Sequence, residues 1–318
     1  MSAAPQTTVV GEGDLAVEVE HGFTGEESGV RIHHVTRGEG SPIVFMHGFP
    51  QFWYLWRHQL TDLGRDHRVV APDLRGYNLS DKPEEVDDYR MRHLLGDMTR
   101  LVEELDLAPF TLVGHDWGGI VSWAFALKYP ELLERFVIID SPPPFTWNRD
   151  LRESPKQREA VNYMLELSAP SPRPEEMVMA DDFAMLDSML ERIGGSDARL
   201  SDSERAAYHE AWSQPGAIEA GLNYYRAAHM GEQVAAGGVP EDYEAKIKAM
   251  RLEVPTLVIW GERDPALLVG LTRGLEEWIP DMRLEVLPGA GHWVPYERPG
   301  DVNRLIREFV DEAMEESE

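Results

Sequence analysis

The chain has no cysteine. That excludes disulfides, thiol nucleophiles and cysteine metal sites. Lysine is scarce: among 30 basic residues only Lys82, Lys128, Lys156, Lys246 and Lys248 are lysines, against 57 acidic ones. The resulting net charge of −27 argues against nucleic acid or an anionic membrane as partner. Acid excess with little lysine also suits solubility in concentrated salt. No apolar run is long enough to cross a bilayer. The opening MSAAPQTT has neither a basic segment nor an apolar core, so no signal peptide is expected and the cytoplasm is the expected compartment. No histidine cluster has metal-ligand spacing and no glycine-rich phosphate loop appears. His33 and His34 read as strand content.

What is present is a 318-residue chain, 42% hydrophobic, with room for one or two domains. Its organising stretch is Gly114-His115-Asp116-Trp117-Gly118-Gly119. A short apolar run precedes it and a longer one follows, reading as a buried strand and a buried helix. Between them lies G-x-D-x-G, the spacing of a nucleophile elbow with Asp in place of Ser. Taken alone, the motif is equally a helix N-terminus with a favourable acid in its first turn.

The rest of the chain supplies context. Two antiparallel strands are expected before residue 40, over 15–20 and 30–35. Apolar runs at 42–46, 68–73, 110–113, 136–140, 255–260 and 284–287 read as further strands. Helical patterns lie between them, so the sheet is expected to be mostly parallel and covered on both faces. From 141 to 250 the alternation stops and only helical pieces follow, with a capping-box signature at Ser201 and Glu204. Such an insertion reads as a lid. Its methionines, Met177, Met179, Met185 and Met189, are read first as adaptable packing. The division is therefore a core over 1–140 and 251–318 with a helical cap over 141–250.

Asp116, Asp264 and His292 each fall just past the C-terminal end of a strand, the edge where open parallel sheets bind ligands. Their order is nucleophile, acid, histidine. A carboxylate is already ionised at neutral pH, so Asp116 needs no base to attack an sp³ carbon. His292 is left to activate water against the resulting ester, and Asp264 to fix its tautomer. The backbone N–H groups of Trp117 and Phe49 are the expected oxyanion donors.

With HGFP at 47–50, DLRGY at 73–77, GHDWGG at 114–119 and GHW at 291–293, the chain resembles the epoxide hydrolase and haloalkane dehalogenase group of the α/β-hydrolase superfamily. The resemblance implies an α/β-hydrolase fold with an eight-stranded, mostly parallel sheet, helices on both faces and a helical cap. It implies cofactor-independent opening of an epoxide to a vicinal diol, and places the two oxygen-binding tyrosines on Tyr163 and Tyr225. It also sets His47, Pro50, Trp117 and Trp293 around the substrate. The partners implied are a small epoxide and water, without nucleic acid or membrane; a homodimer is compatible with the chain. One departure is Asn78, where the family has Gly.

The first rival is a haloalkane dehalogenase. Halide-binding Asn is absent, since Phe49 follows His-Gly, but Trp147 and Trp212 are available indoles. Fluoroacetate dehalogenases carry arginines where Trp117 and Ile120 stand, which disfavours a carboxylate substrate. Asp140 occupies the alternative position for the acid and is assigned a structural or backup role. A non-enzymatic ligand receptor on the same scaffold is the second rival; it would not need every catalytic position filled.

Overall fold

The computed structural model describes residues 6–10, 17–192, 199–239, 246 and 251–316. Its strands are β1 (Gln6–Val10), β2 (Val17–Thr24), β3 (Ile32–Arg37), β4 (Pro42–Met46), β5 (Arg68–Pro72), β6 (Phe110–His115), β7 (Leu133–Ile139), β8 (Thr256–Gly261) and β9 (Met282–Leu287). They form one sheet in the order β1-β2-β3-β5-β4-β6-β7-β8-β9. From β5 through β9 every neighbouring pair is parallel, whereas β1, β2 and β3 join antiparallel at one side.

Nine strands among the described residues replace the eight expected, and three rather than two precede residue 40. The addition is β1, paired to β2 from Gln6↔His21 to Val10↔Val17. It is an edge strand whose consecutive Thr7, Thr8 and Val9 are all exposed, so these residues carry no alternation to read. The second strand runs further than expected, to Thr24; residues 11–16 lie outside the described set.

The central strands are buried along their whole length. β6 and β8 have no exposed residue, as their unbroken apolar composition requires between two helical layers. The flanking helices are α1 (Arg57–Leu63), α2 (Met91–Glu104), α3 (Asp116–Lys128) and, near the C-terminus, α11 (Val294–Glu297) and α12 (Pro299–Glu316). α3 follows β6 without a linking residue, so the chain reverses from sheet to helix at Asp116 itself.

Between β7 and β8 the described chain is helical. It runs through α4 (Pro144–Glu153), α5 (Pro155–Ala160), α6 (Tyr163–Leu167), α7 (Arg173–Arg192), α8 (Asp202–Trp212), α9 (Ala217–Ala227) and α10 (Met230–Ala236). Ser201 and Glu204 form the reciprocal capping box at the start of α8. α7 is interrupted: Asp181, Asp182 and Phe183 all have positive φ.

Aromatic side chains donate four of the hydrogen bonds that seat this helical segment on the sheet's C-terminal loops. Trp212 Nε1 donates to the Pro50 carbonyl at 2.6 Å and the Tyr224 hydroxyl to the Arg75 carbonyl at 2.9 Å. In the opposite direction Trp293 Nε1 donates to Met189 O at 3.1 Å and the Tyr296 hydroxyl to Leu190 O at 2.6 Å. Arg57 pairs with Glu204 across the same seam.

Candidate active site

Asp116 sits at φ +50°, in the left-handed region that non-glycine residues rarely occupy. The conformation lifts its carboxylate clear of the strand end. Two glycines make it fit: a Cβ on Gly118 would collide with the Met46 and His47 carbonyls, and one on Gly48 with the Asp116 carboxylate. The Ser141 hydroxyl donates to the Asp116 carbonyl at 2.9 Å and braces the turn. Local strain of this kind persists only where the surroundings hold it.

The Phe49 backbone N–H donates to Asp116 Oδ1 at 2.8 Å, and the Trp117 backbone N–H also reaches the carboxylate. On its other side, Asp116 Oδ2 lies 3.6 Å from His292 Nε2. His292 Nδ1 is 2.6 Å from Asp264 Oδ2, while Asp264 Oδ1 accepts from the backbone N–H groups of Ala266 and Leu267, each at 2.8 Å. The three residues predicted from separate strand ends therefore form one continuous chain.

The electrostatics follow from this burial and pairing. Burial alone would raise the Asp116 pKa; the pairing with His292 and its charge outweigh that and hold it below the usual carboxylate value. Burial would lower the His292 pKa, but the Asp264 and Asp116 carboxylates hold it well above 6.5. Asp140 is different. Burial, with Asp264 nearby, drives its pKa far above the carboxylate range. Its Oδ1 accepts from the Gly261 N–H at 2.7 Å and its Oδ2 has no partner.

Tyr163 and Tyr225 come from α6 and α9, and both feel the Asp116 charge; Tyr225 also feels Tyr163. Burial leads in raising both phenols, so each keeps its proton. The Tyr225 ring meets Phe49 and Trp117 edge-on at 5.6 and 5.0 Å, and its hydroxyl is hydrogen-bonded by the Trp117 side chain. An indole has only a donor to offer, so the Tyr225 oxygen is the acceptor there and its own O–H remains to donate.

Other predicted residues stand further from the carboxylate chemistry. His47 is fully buried: its Nδ1 bonds the Gly48 carbonyl at 2.9 Å and its Nε2 accepts the Leu74 N–H at 3.0 Å, so both ring nitrogens serve the scaffold. Pro50 offers its carbonyl to Trp212. Trp293 packs edge-on against His292 at 4.6 Å. The indole N–H of Trp147 is taken by Gln233 Oε1 at 3.3 Å, as that of Trp212 is by Pro50.

Sequence reading did not find Ser141 or His115. His115 is buried, its pKa lowered to about 3, chiefly by burial, so it is neutral and its Nε2 donates to the His292 carbonyl at 2.8 Å. These contacts join residues distant in sequence and carry no local signature. Among the described residues no cluster of histidine and acid side chains could hold a metal, and no helix is long and apolar enough to cross a membrane.

A parallel sheet with a carboxylate at its elbow, a histidine beside it and an acid behind that defines a hydrolase-type site of the α/β class. The family model described as "alpha/beta hydrolase fold" matches residues 41–299, and the chain belongs to that family. Within it, the chain is 33% identical to Epoxide hydrolase 3 of Xenopus tropicalis over 92% of its own length and 78% of the relative's. It is 36% identical to the AB hydrolase superfamily protein YfhM of Bacillus subtilis, over 89% of this chain and 95% of the other. Among solved structures, a mutant of an epoxide hydrolase from Bacillus megaterium, complexed with its product (R)-3-[1]naphthyloxy-propane-1,2-diol, superposes with a TM-score of 0.79 at 30% identity. That match covers 89% of this chain and 97% of the other.

Proposed function

We propose that this protein hydrolyses an epoxide to a vicinal diol through an ester on Asp116. The observation that carries the reading is the placement of one ionised carboxylate between the Phe49 N–H and the His292–Asp264 pair. Asp116 attacks a ring carbon; the C–O bond breaks and the ring oxygen leaves as an alkoxide. Tyr163 and Tyr225 donate to that oxygen and supply its proton. His292 then takes a proton from water, which attacks the Asp116 carbonyl carbon. The Phe49 and Trp117 N–H groups stabilise the oxyanion; on its collapse the leaving alkoxide takes the proton of the added hydroxyl, the diol departs with one water oxygen left in the carboxylate, and the proton held by His292 returns through solvent to the tyrosinate. Asp264 holds the His292 tautomer and balances its charge. The helical segment over 141–250 is the cap that carries the tyrosines above a core of 1–140 and 251–318.

The names of the relatives support the epoxide as substrate. A halide leaving group would need indole or amide donors, and the Trp147, Trp212 and Trp117 indoles are already engaged. We place the enzyme in the cytoplasm, acting without a cofactor.

The test combines one turnover in oxygen-18 water with a His292→Gln variant. Label should enter the peptide that holds Asp116, and the variant, still alkylated by substrate, should accumulate a substrate-sized mass increase. Label confined to the diol through repeated cycles, or a folded variant that never acquires the adduct, would overturn the ester route.

A further inference from the structure

Asn78 stands where the resembling family carries glycine, and the reaction scheme above leaves it unused. It adopts φ +42° and is buried. Its Nδ2 donates to Asp73 Oδ2 at 2.8 Å. The same oxygen lies 2.6 Å from His33 Nδ1, and the other oxygen, Oδ1, accepts the Trp53 backbone N–H at 3.0 Å. Asp73 and His33 are completely buried. His33 is held in turn, its Nε2 lying 2.8 Å from His21 Nδ1.

This clamp matters because of what it grips. The segment from His47 to Trp53 contains Phe49, whose N–H holds Asp116. It is pinned at its far end by Asp73 through Trp53 N, and at its near end by the neighbouring Leu74, whose N–H donates to the His47 ring at 3.0 Å. Residues 73 and 74 thus fix both ends of the loop that aims the Phe49 donor. Asn78 fixes Asp73. A buried carboxylate is costly unless its lone pairs are filled, and each charge-assisted hydrogen bond is among the stronger ones available.

We infer that Asn78 is a positioning residue for the oxyanion donor: through Asp73 it sets where the Phe49 N–H points. The inference rests on the ester mechanism and makes a statement about its second step alone. Alkylation turns the Asp116 carboxylate into a neutral ester, so a donor to that carboxylate gives little help to the first step. Hydrolysis regenerates negative charge on the same oxygen, and there the donor counts.

The substitution Asn78→Gly isolates the side chain, because glycine accepts a positive φ without strain. The turn keeps its other ties: Lys82 Nζ to the Asn78 and Ser80 carbonyls at 2.5 and 2.8 Å, and Ser80 N to the Tyr77 carbonyl at 2.9 Å. Stopped-flow measurement of ester formation and decay on a styrene-type epoxide should show parent-like alkylation in Asn78→Gly. Ester hydrolysis should be slower by roughly tenfold, less than the loss of an oxyanion donor outright. Asn78→Asp, which sets a second carboxyl against Asp73, should slow hydrolysis further. A general loss of folded enzyme would lower the amplitudes of both phases and leave their rate constants unchanged. Equal loss in both steps, or parent rates for both in each folded variant, would overturn the role of Asn78. A parent enzyme that forms no ester would instead overturn the mechanism beneath it.

Discussion

Asp140 is buried close to Asp264, so that burial first and the Asp264 charge second raise its pKa. The division between them is set by hydrogen bonding. Asp264 accepts two backbone N–H groups and the His292 ring, whereas Asp140 has one backbone donor and an oxygen without a partner. Asp140 therefore holds a proton.

Replacing each with asparagine should separate them. Asp140→Asn removes no charge and should leave turnover within about threefold of the parent, because an amide oxygen still accepts from Gly261. Asp264→Asn removes the negative partner of the His292 imidazolium and turns an amide N–H toward Nδ1, which selects the wrong tautomer; turnover should fall by roughly 10³ to 10⁴. Steady-state kcat on one epoxide measures both. Comparable losses in the two variants would show that Asp140 shares the work.

The tyrosines make a second prediction. Removing either hydroxyl as Tyr163→Phe or Tyr225→Phe keeps the ring packing and should slow alkylation by roughly 10²-fold, the scale for one lost transition-state donor. The double variant should be nearly inactive. Pre-steady-state alkylation reads this directly. A double variant at the parent rate, or a parent faster on haloalkanes than on any epoxide, would exchange this reading for the dehalogenase one.

The pH dependence should differ between the two steps. Alkylation needs Asp116 ionised; its pKa lies below 3.8, so the rate should stay level across neutral pH and fall only in acid. Hydrolysis needs neutral His292, held well above 6.5 first by Asp264 and then by Asp116. Esterification removes the Asp116 charge and eases that proton off. Ester decay should therefore climb with pH as His292 deprotonates, and single-turnover measurements across the range would detect it. The signs for stability are opposite. The His292 contribution is full below 6.5 and lost as pH rises through its raised folded value; the Asp116 contribution is present above 3.8 and lost as pH falls.

The three residues that the structure joins were legible because each opens a recognisable loop just past a strand end, two of those strands being buried throughout. Asp116, Asp264 and His292 needed only their order and their strands. What holds them was not legible. Ser141 reaches Asp116 from 25 residues away and His115 reaches His292 from 177. Asn78 is adjacent to DLRGY, yet nothing local announces that its amide turns back to Asp73. β1 escaped for the opposite reason, since the consecutive exposed residues of an edge strand carry no pattern. The three left-handed residues within α7 likewise have no glycine to mark them.

The aromatic part of the seam between the helical segment and the sheet is written in main-chain acceptors. Trp212 and Tyr224 donate downward to the carbonyls of residues 50 and 75, and Trp293 and Tyr296 upward to those of residues 189 and 190. A carbonyl is the same whichever side chain its residue bears. The side chains at positions 189 and 190 can thus be exchanged without deleting either acceptor from the joint. Of the two acceptor positions, the fully buried Leu190 is still held by packing, so it is partly buried Met189 that variation and redesign can change most freely, while the four aromatic donors are where drift would be punished.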